Sequence, residues 1–189
     1  MTRLLLAIAL FFSYMTSVIA QEGEEKATLR PSLSIGLLNG GQASTTKFYF
    51  KSGFGAYVSV GLKQDDSWIS PIFHIGVEKI ETETLLPIGL EYNIRFKPSE
   101  NSGFMSFSGG YAFAFNPDFE DIDGYEYKGG LFFNPGWGYA WKLNTKSEFF
   151  TSVRYRHQFL SAEFYKQGVE KYTETFQYMF LQLTAGINF

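Results

Sequence analysis

The segment QYMFLQLTAGINF, residues 177–189, ends the chain and decides its fold. Counting back from Phe189, the residues Ile187, Ala185, Leu183, Leu181 and Met179 put an apolar side chain at every second position. Asn188, Gly186, Thr184 and Gln182 between them are polar or small. A period of two is the mark of a β-strand with one apolar face, because successive side chains of a strand point to opposite sides. Such a strand leaves a row of unpaired N–H and C=O groups along its edge. Pairing it with the first strand of a closed barrel removes that edge.

The same alternation recurs through the chain. Residues 29–37, 53–62, 69–78, 86–96, 105–115, 130–141 and 149–159 each set bulky apolar side chains against Gly, Ser, Ala, Asn and a few charges, giving eight strands with the terminal one. Residues 39–50, 116–128 and 161–175 read as long loops and the connections after strands two, four and six as short turns, a division of the two rims typical of membrane barrels. The interior of an eight-stranded barrel is just wide enough for side chains to fill. The face rich in Phe, Tyr and Trp is therefore expected outside and the small, polar face inside. This makes a lipocalin-like barrel, whose bulky residues would point inward, the lesser reading.

Composition agrees with this assignment. The chain has 189 residues with 21 Phe, 12 Tyr, 3 Trp and 19 Gly, and no apolar run of transmembrane-helix length follows Gln21. Aromatic and glycine richness without spanning helices fits a membrane barrel. No cysteine is present, so disulfides, thiolate metal sites and acylation of a lipoprotein cysteine are all excluded. Arg3, an apolar run over residues 4–15 and the small residue Ala20 before Gln21 form a cleavable secretory signal peptide, residues 1–20, followed by a charged lead-in, residues 21–28, and the barrel domain, residues 29–189. Loss of Arg3 leaves 15 basic against 19 acidic residues, a formal charge of −4, which offers no basic stripe for nucleic acid.

The terminal Ala185, Gly186, Ile187, Asn188 and Phe189 resemble the C-terminal signature by which outer-membrane proteins are handed to the barrel-assembly machinery. Residues 86–92 (LPIGLEY) and 129–136 (GGLFFNPG) are similar to stretches of the porin-like outer-membrane β-barrel domains of Gram-negative bacteria, of the scale of OmpA/OmpX-type barrels. The resemblance implies an all-β, up-and-down transmembrane barrel in the outer membrane, with periplasmic termini and outer-membrane lipid as its surroundings. It implies an assembly signal carried by Phe189, Ile187 and Leu183, a monomer, and no cofactor.

By parity, Arg30, His74, Glu78, Glu91, Arg95, Arg154 and Arg156 face the lumen. Charges in so narrow an interior must be paired, and Glu78 and Glu91 are expected to bridge Arg95, Arg154 or Arg156. Phe96, Trp137, Tyr139, Trp141, Phe149 and Phe189 approach the short-turn rim on the outer face and form an aromatic girdle there. His157 falls on the lipid face. The run of Arg154, Tyr155, Arg156 and His157 resembles the Arg-x-x-His segment of outer-membrane lipid A deacylases. In that family a serine follows two residues after the histidine, whereas here the position is Phe159 and the first serine is Ser161. The acidic stretch within residues 116–128 does not match the calcium-loop spacing. Three functions follow, in order of support: a structural or adhesive barrel binding an extracellular ligand at loops 39–50, 116–128 and 161–175; a narrow pore for small solutes; a deacylase-like hydrolase.

Overall fold

The computed structural model describes residues 28–43, 47–63, 68–81, 83–97, 101–115, 125–164 and 172–189, and structural statements below concern these. The strands are β1 (Thr28–Ala43), β2 (Phe48–Lys63), β3 (Ile69–Ile80), β4 (Glu83–Arg95), β5 (Ser102–Phe115), β6 (Tyr125–Tyr127), β7 (Gly130–Lys142), β8 (Glu148–Phe164) and β9 (Tyr172–Asn188). The long strands pair antiparallel in chain order, β5 with β7, while β6 pairs with β8, and β9 returns to β1 with Ser32 opposite Asn188 and Ala43 opposite Gln177. Phe189 N–H adds a bond to the Pro31 carbonyl at 2.9 Å. The eight long strands thus close a barrel.

The register fixes its dimensions. Stepping across the rungs from Pro31 leads through Val60, Phe73, Leu90, Gly109, Phe133, His157 and Met179 back to β1 at Gly41, ten residues further along. With about 3.3 Å per residue and about 4.8 Å between strands, eight strands and a stagger of ten give a tilt of roughly 40°. The outward series on β5 from Met105 to Phe115 then rises about 25 Å along the axis, the height of a membrane-barrel apolar band.

Side-chain size sorts the two faces. The outer wall exposes Leu33, Ile35, Leu37, Phe54, Val58, Phe107, Phe113, Leu131, Trp137, Leu181 and Leu183 among many others. In water this belt would be untenable; in lipid it needs no cover, and closure leaves the wall no unpaired edge. Pro87 and Pro135 sit where a ladder skips. Ile75–Ile88 is followed by Glu78–Leu85, and Phe133–His157 by Gly136–Arg154, as residues without an N–H require.

One expectation is corrected inside. Six aromatic rings, those of Tyr57, Phe104, Phe132, Phe150, Tyr178 and Phe180, point into the lumen. They fit because glycines on adjacent strands leave room: a Cβ at Gly89 would lie 2.9 Å from the Phe132 ring and one at Gly186 2.6 Å from that of Phe150, and Gly138 faces Phe104 in the same way. The barrel is too slender for a whole aromatic face but not for single rings seated over glycine.

The loops are also shorter than expected. Residues 39–43 and 48–50 belong to β1 and β2, so the loop placed at 39–50 shrinks to its centre. Glu81, in the left-handed region at φ 50, begins a two-residue connection between β3 and β4. Residues 161–164 and 172–175 extend β8 and β9, and residues 125–127 form β6, leaving 116–124 and 165–171 outside the described residues. Thr28, placed in the lead-in, already pairs with Lys63. The signal peptide and residues 21–27 lie outside the described residues.

β6 continues β7 but is out of step with it. Tyr127 lies opposite Ala162, whereas Phe132 lies opposite Gln158, so one extra residue sits in this strand. Gly129, at φ +58, absorbs it as a bulge. Beyond it, residues 172–176 of β9 pair with β8 alone, so β6, β8 and β9 overhang the loop rim.

Candidate functional site: the layered lumen

The stagger of the strands stacks the inward side chains in layers. At the turn end, Glu148 receives both Arg95 amino groups at 3.1 and 2.6 Å and lies 3.2 Å from Arg30. Next come Phe104, Ala140 and Phe150, which pack together. The middle holds the polar centre. Arg154 grips Glu91 through two bonds of 2.5 and 2.9 Å and donates to Ser152 at 3.1 Å. Arg156 pairs with Glu78, donates to Gln158 at 2.8 Å and lies 4.5 Å from the centre of the Phe132 ring. Tyr57 donates to Glu78 at 2.8 Å and accepts from Gln182 at 2.7 Å. His74 faces this centre, 5.9 Å from Phe132 between ring centroids.

Above the ions sits an apolar layer of Leu38, Ile80, Leu85, Ala112, Phe132, Leu160, Tyr178 and Phe180, each at most 3% exposed. At the loop rim, Lys51 meets Glu83 at 2.7 Å, and Tyr178 donates to the same carboxylate at 2.7 Å. Lys128 pairs with Glu163 at 2.6 Å. The lumen is therefore ionic in the middle, apolar above it and ionic again at the loop rim.

All seven lumen residues named from the sequence face inward, but not all pair as expected. Glu91 and Glu78 take Arg154 and Arg156, while Arg95 and Arg30 converge on Glu148. Glu148 and Glu83 lie just outside the strand segments read from the sequence, residues 149–159 and 86–96. Parity with Phe150 and Leu85 would have placed each in the lumen.

On the outer wall, Phe96, Tyr139, Trp141 and Phe149 gather near the turn end. Tyr139 and Trp141 lie 4.7 Å apart, and Trp141 and Phe149 5.6 Å. Trp137 stands higher, opposite Val153 and Met105 in the apolar band, and Trp68, not anticipated, is 60% exposed at the turn end. Phe189, Ile187 and Leu183 point outward from β9. His157 is wedged on the outer wall between Phe133, whose ring stacks at 5.2 Å, and Phe159, at 4.6 Å; Tyr155 Oη lies 3.2 Å from its Nδ1. Ser161 is four residues further along the strand, roughly 13 Å away, too far for an imidazole to draw its proton.

An antiparallel eight-stranded barrel with a stagger of ten, aromatic outside and ion-paired inside, is a small transmembrane barrel of the outer-membrane type. Solved structures share this fold. The outer membrane protein AlkL, determined by solid-state NMR in DMPC lipid bilayers, matches at 12% identity and a TM-score of 0.56 over 89% of this chain and 93% of that one. Neisserial surface protein A (NspA) matches at 13% identity and 0.57 over 87% and 100%. The outer membrane protein OprG from Pseudomonas aeruginosa matches at 12% and 0.51 over 88% and 98%. At such identities the likeness is one of fold. No protein-family model matches the chain, and no characterised protein matches it by sequence.

Proposed function

We propose that this chain is a structural outer-membrane barrel of a Gram-negative bacterium that works at its cell-surface rim rather than through its lumen. It is exported by its leader, lies with both termini in the periplasm, and is assembled by recognition of Phe189, Ile187 and Leu183. The observation that supports this is the packed apolar layer from Leu38 to Phe180, which lies over the buried Arg156–Glu78 pair. Steady passage of solute would need eight close-packed apolar side chains to part and a buried ion pair to separate, each at a cost of several kcal/mol.

The loop rim offers the surface that remains. Phe48, Tyr49 and Phe50 are 56%, 52% and 69% exposed at the start of β2, and the overhang of β6, β8 and β9 stands beside them. Aromatic anchors on a rigid sheet are well suited to holding a partner. The test joins planar-bilayer recording to surface display. The purified protein is expected to give no steady openings. Replacing Phe48, Tyr49 and Phe50 by serine should leave the unboiled, fast-migrating gel band intact while abolishing retention of displaying cells on immobilised matrix proteins or glycans. Large steady openings, or retention unaffected by these substitutions, would overturn the proposal.

A further inference from the structure

Below the apolar layer the lumen is not filled. A chamber there is open to the centres of water-sized particles over about 50 Å³. One water needs about 10–15 Å³ by this measure, so the space suits roughly three to five waters, or one small polyatomic ion.

Its surroundings carry one positive charge in excess. Arg95, Arg154 and Arg156 line it together with Glu91. Each guanidinium already meets a carboxylate, Arg154 that of Glu91, Arg156 that of Glu78 and Arg95 that of Glu148, but Glu148 is shared with Arg30, so four cations face three anions. The wall also carries polar atoms with no partner. His74 Nδ1, Asn134 Oδ1 and Thr184 Oγ1 make no hydrogen bond, although these residues are only 7%, 4% and 6% exposed. Buried polar atoms are normally satisfied; here the Thr184 hydroxyl and, in one tautomer, the imidazole have a hydrogen to give, while Asn134 Oδ1 can only accept.

Access is one-sided. Arg156, Phe180 and Leu38 at the roof are at most 1% exposed, whereas Ser34, Asn93, Arg95 and Asn188 at the foot are half-buried. We propose that this chamber binds a single small inorganic oxyanion, of nitrate to phosphate size, admitted only from the turn end. Guanidinium and hydroxyl groups are the donors such an ion takes, and the one positive charge left over at the foot, where Arg30 and Arg95 share Glu148, favours it over neutral solutes of the same size. The chamber has no room for an acyl chain, so the ligand is a free ion rather than a lipid headgroup.

The experiment uses the full mature barrel in nanodiscs, with sodium nitrate and inorganic phosphate as probes and ionic strength held constant by sodium gluconate, whose anion is too large to enter. Backbone amide shifts at Gly136 and Gly138, and the side-chain Nε–H of Arg154, are followed by NMR. Saturable shifts are expected with either probe. They should weaken at least tenfold in Arg95→Gln and vanish in Ser59→Leu, which fills the chamber without touching an ion pair. Should Arg95→Gln fail to assemble, Ser59→Leu decides alone. Shifts that never saturate, that appear equally at exposed Asn144, or that survive Ser59→Leu would overturn the proposal and leave a water-filled cavity only.

Discussion

Arg156→Met is the sharpest probe of the lumen. Arg156 is 1% exposed and its partner Glu78 0%. Removing the guanidinium leaves a fully buried carboxylate held by the Tyr57 hydroxyl alone, and breaking one side of such a pair costs about 3–5 kcal/mol. Loss of the cation over the Phe132 ring adds about 1 kcal/mol. A total near 4–6 kcal/mol lowers the folding equilibrium by about a thousandfold or more. The double change Glu78→Met with Arg156→Met removes both charges, and well-packed apolar replacements of buried pairs are often neutral or better. One debt remains, since the Tyr57 hydroxyl loses its acceptor while still receiving Gln182. The double variant should therefore recover to within about 1–2 kcal/mol of the parent. Reversible urea unfolding in lipid vesicles, followed by tryptophan fluorescence and by unboiled gel mobility, measures all three proteins. A single variant that costs under about 1 kcal/mol, or a double variant no better than the single, would refute the claim that this pair is dry and mutually dependent.

Two further outcomes test the wall. Ala56 points outward near the middle of the apolar band, in one row with Ile35 and Ala185; Ala56→Arg should cost about 2–4 kcal/mol in the same unfolding assay, whereas Thr173→Arg in the overhang should cost no more than about 1. Equal effects would displace the band. Gly129 adopts φ +58, where an added Cβ would fall 2.1 Å from the Ala112 carbonyl oxygen, so Gly129→Val should lose at least about 1–2 kcal/mol; an unchanged unfolding midpoint would mean that the bulge is not needed.

The outward face was legible because lipid demands apolar side chains at every second residue, as Leu33, Ile35 and Leu37 show. That signal fails wherever both faces are apolar. Leu131, Phe132 and Phe133 run together, as do Tyr178, Met179, Phe180 and Leu181, and their inward members form the apolar layer. Parity counted from Asn134 or Gln182 still places Phe132 and Phe180 inside, but only if size is not allowed to veto it. Asn39, Gly40 and Gly41 look like a turn in sequence. They lie in β1 because strands cross closely there, a Cβ at Gly40 falling 2.7 Å from the Phe180 Cα. Glycine marks close approach as often as it marks a bend, and only the partner strand distinguishes the two.

The seam between β1 and β9 joins the two ends of the barrel. Without β9 the chain is an open ribbon with a bare margin on either side, and no local contact can zip it shut in advance. Ring closure therefore waits for the very last strand to arrive. Until then both margins stay unpaired beside a greasy wall, and the interval before closure is exposed to aggregation.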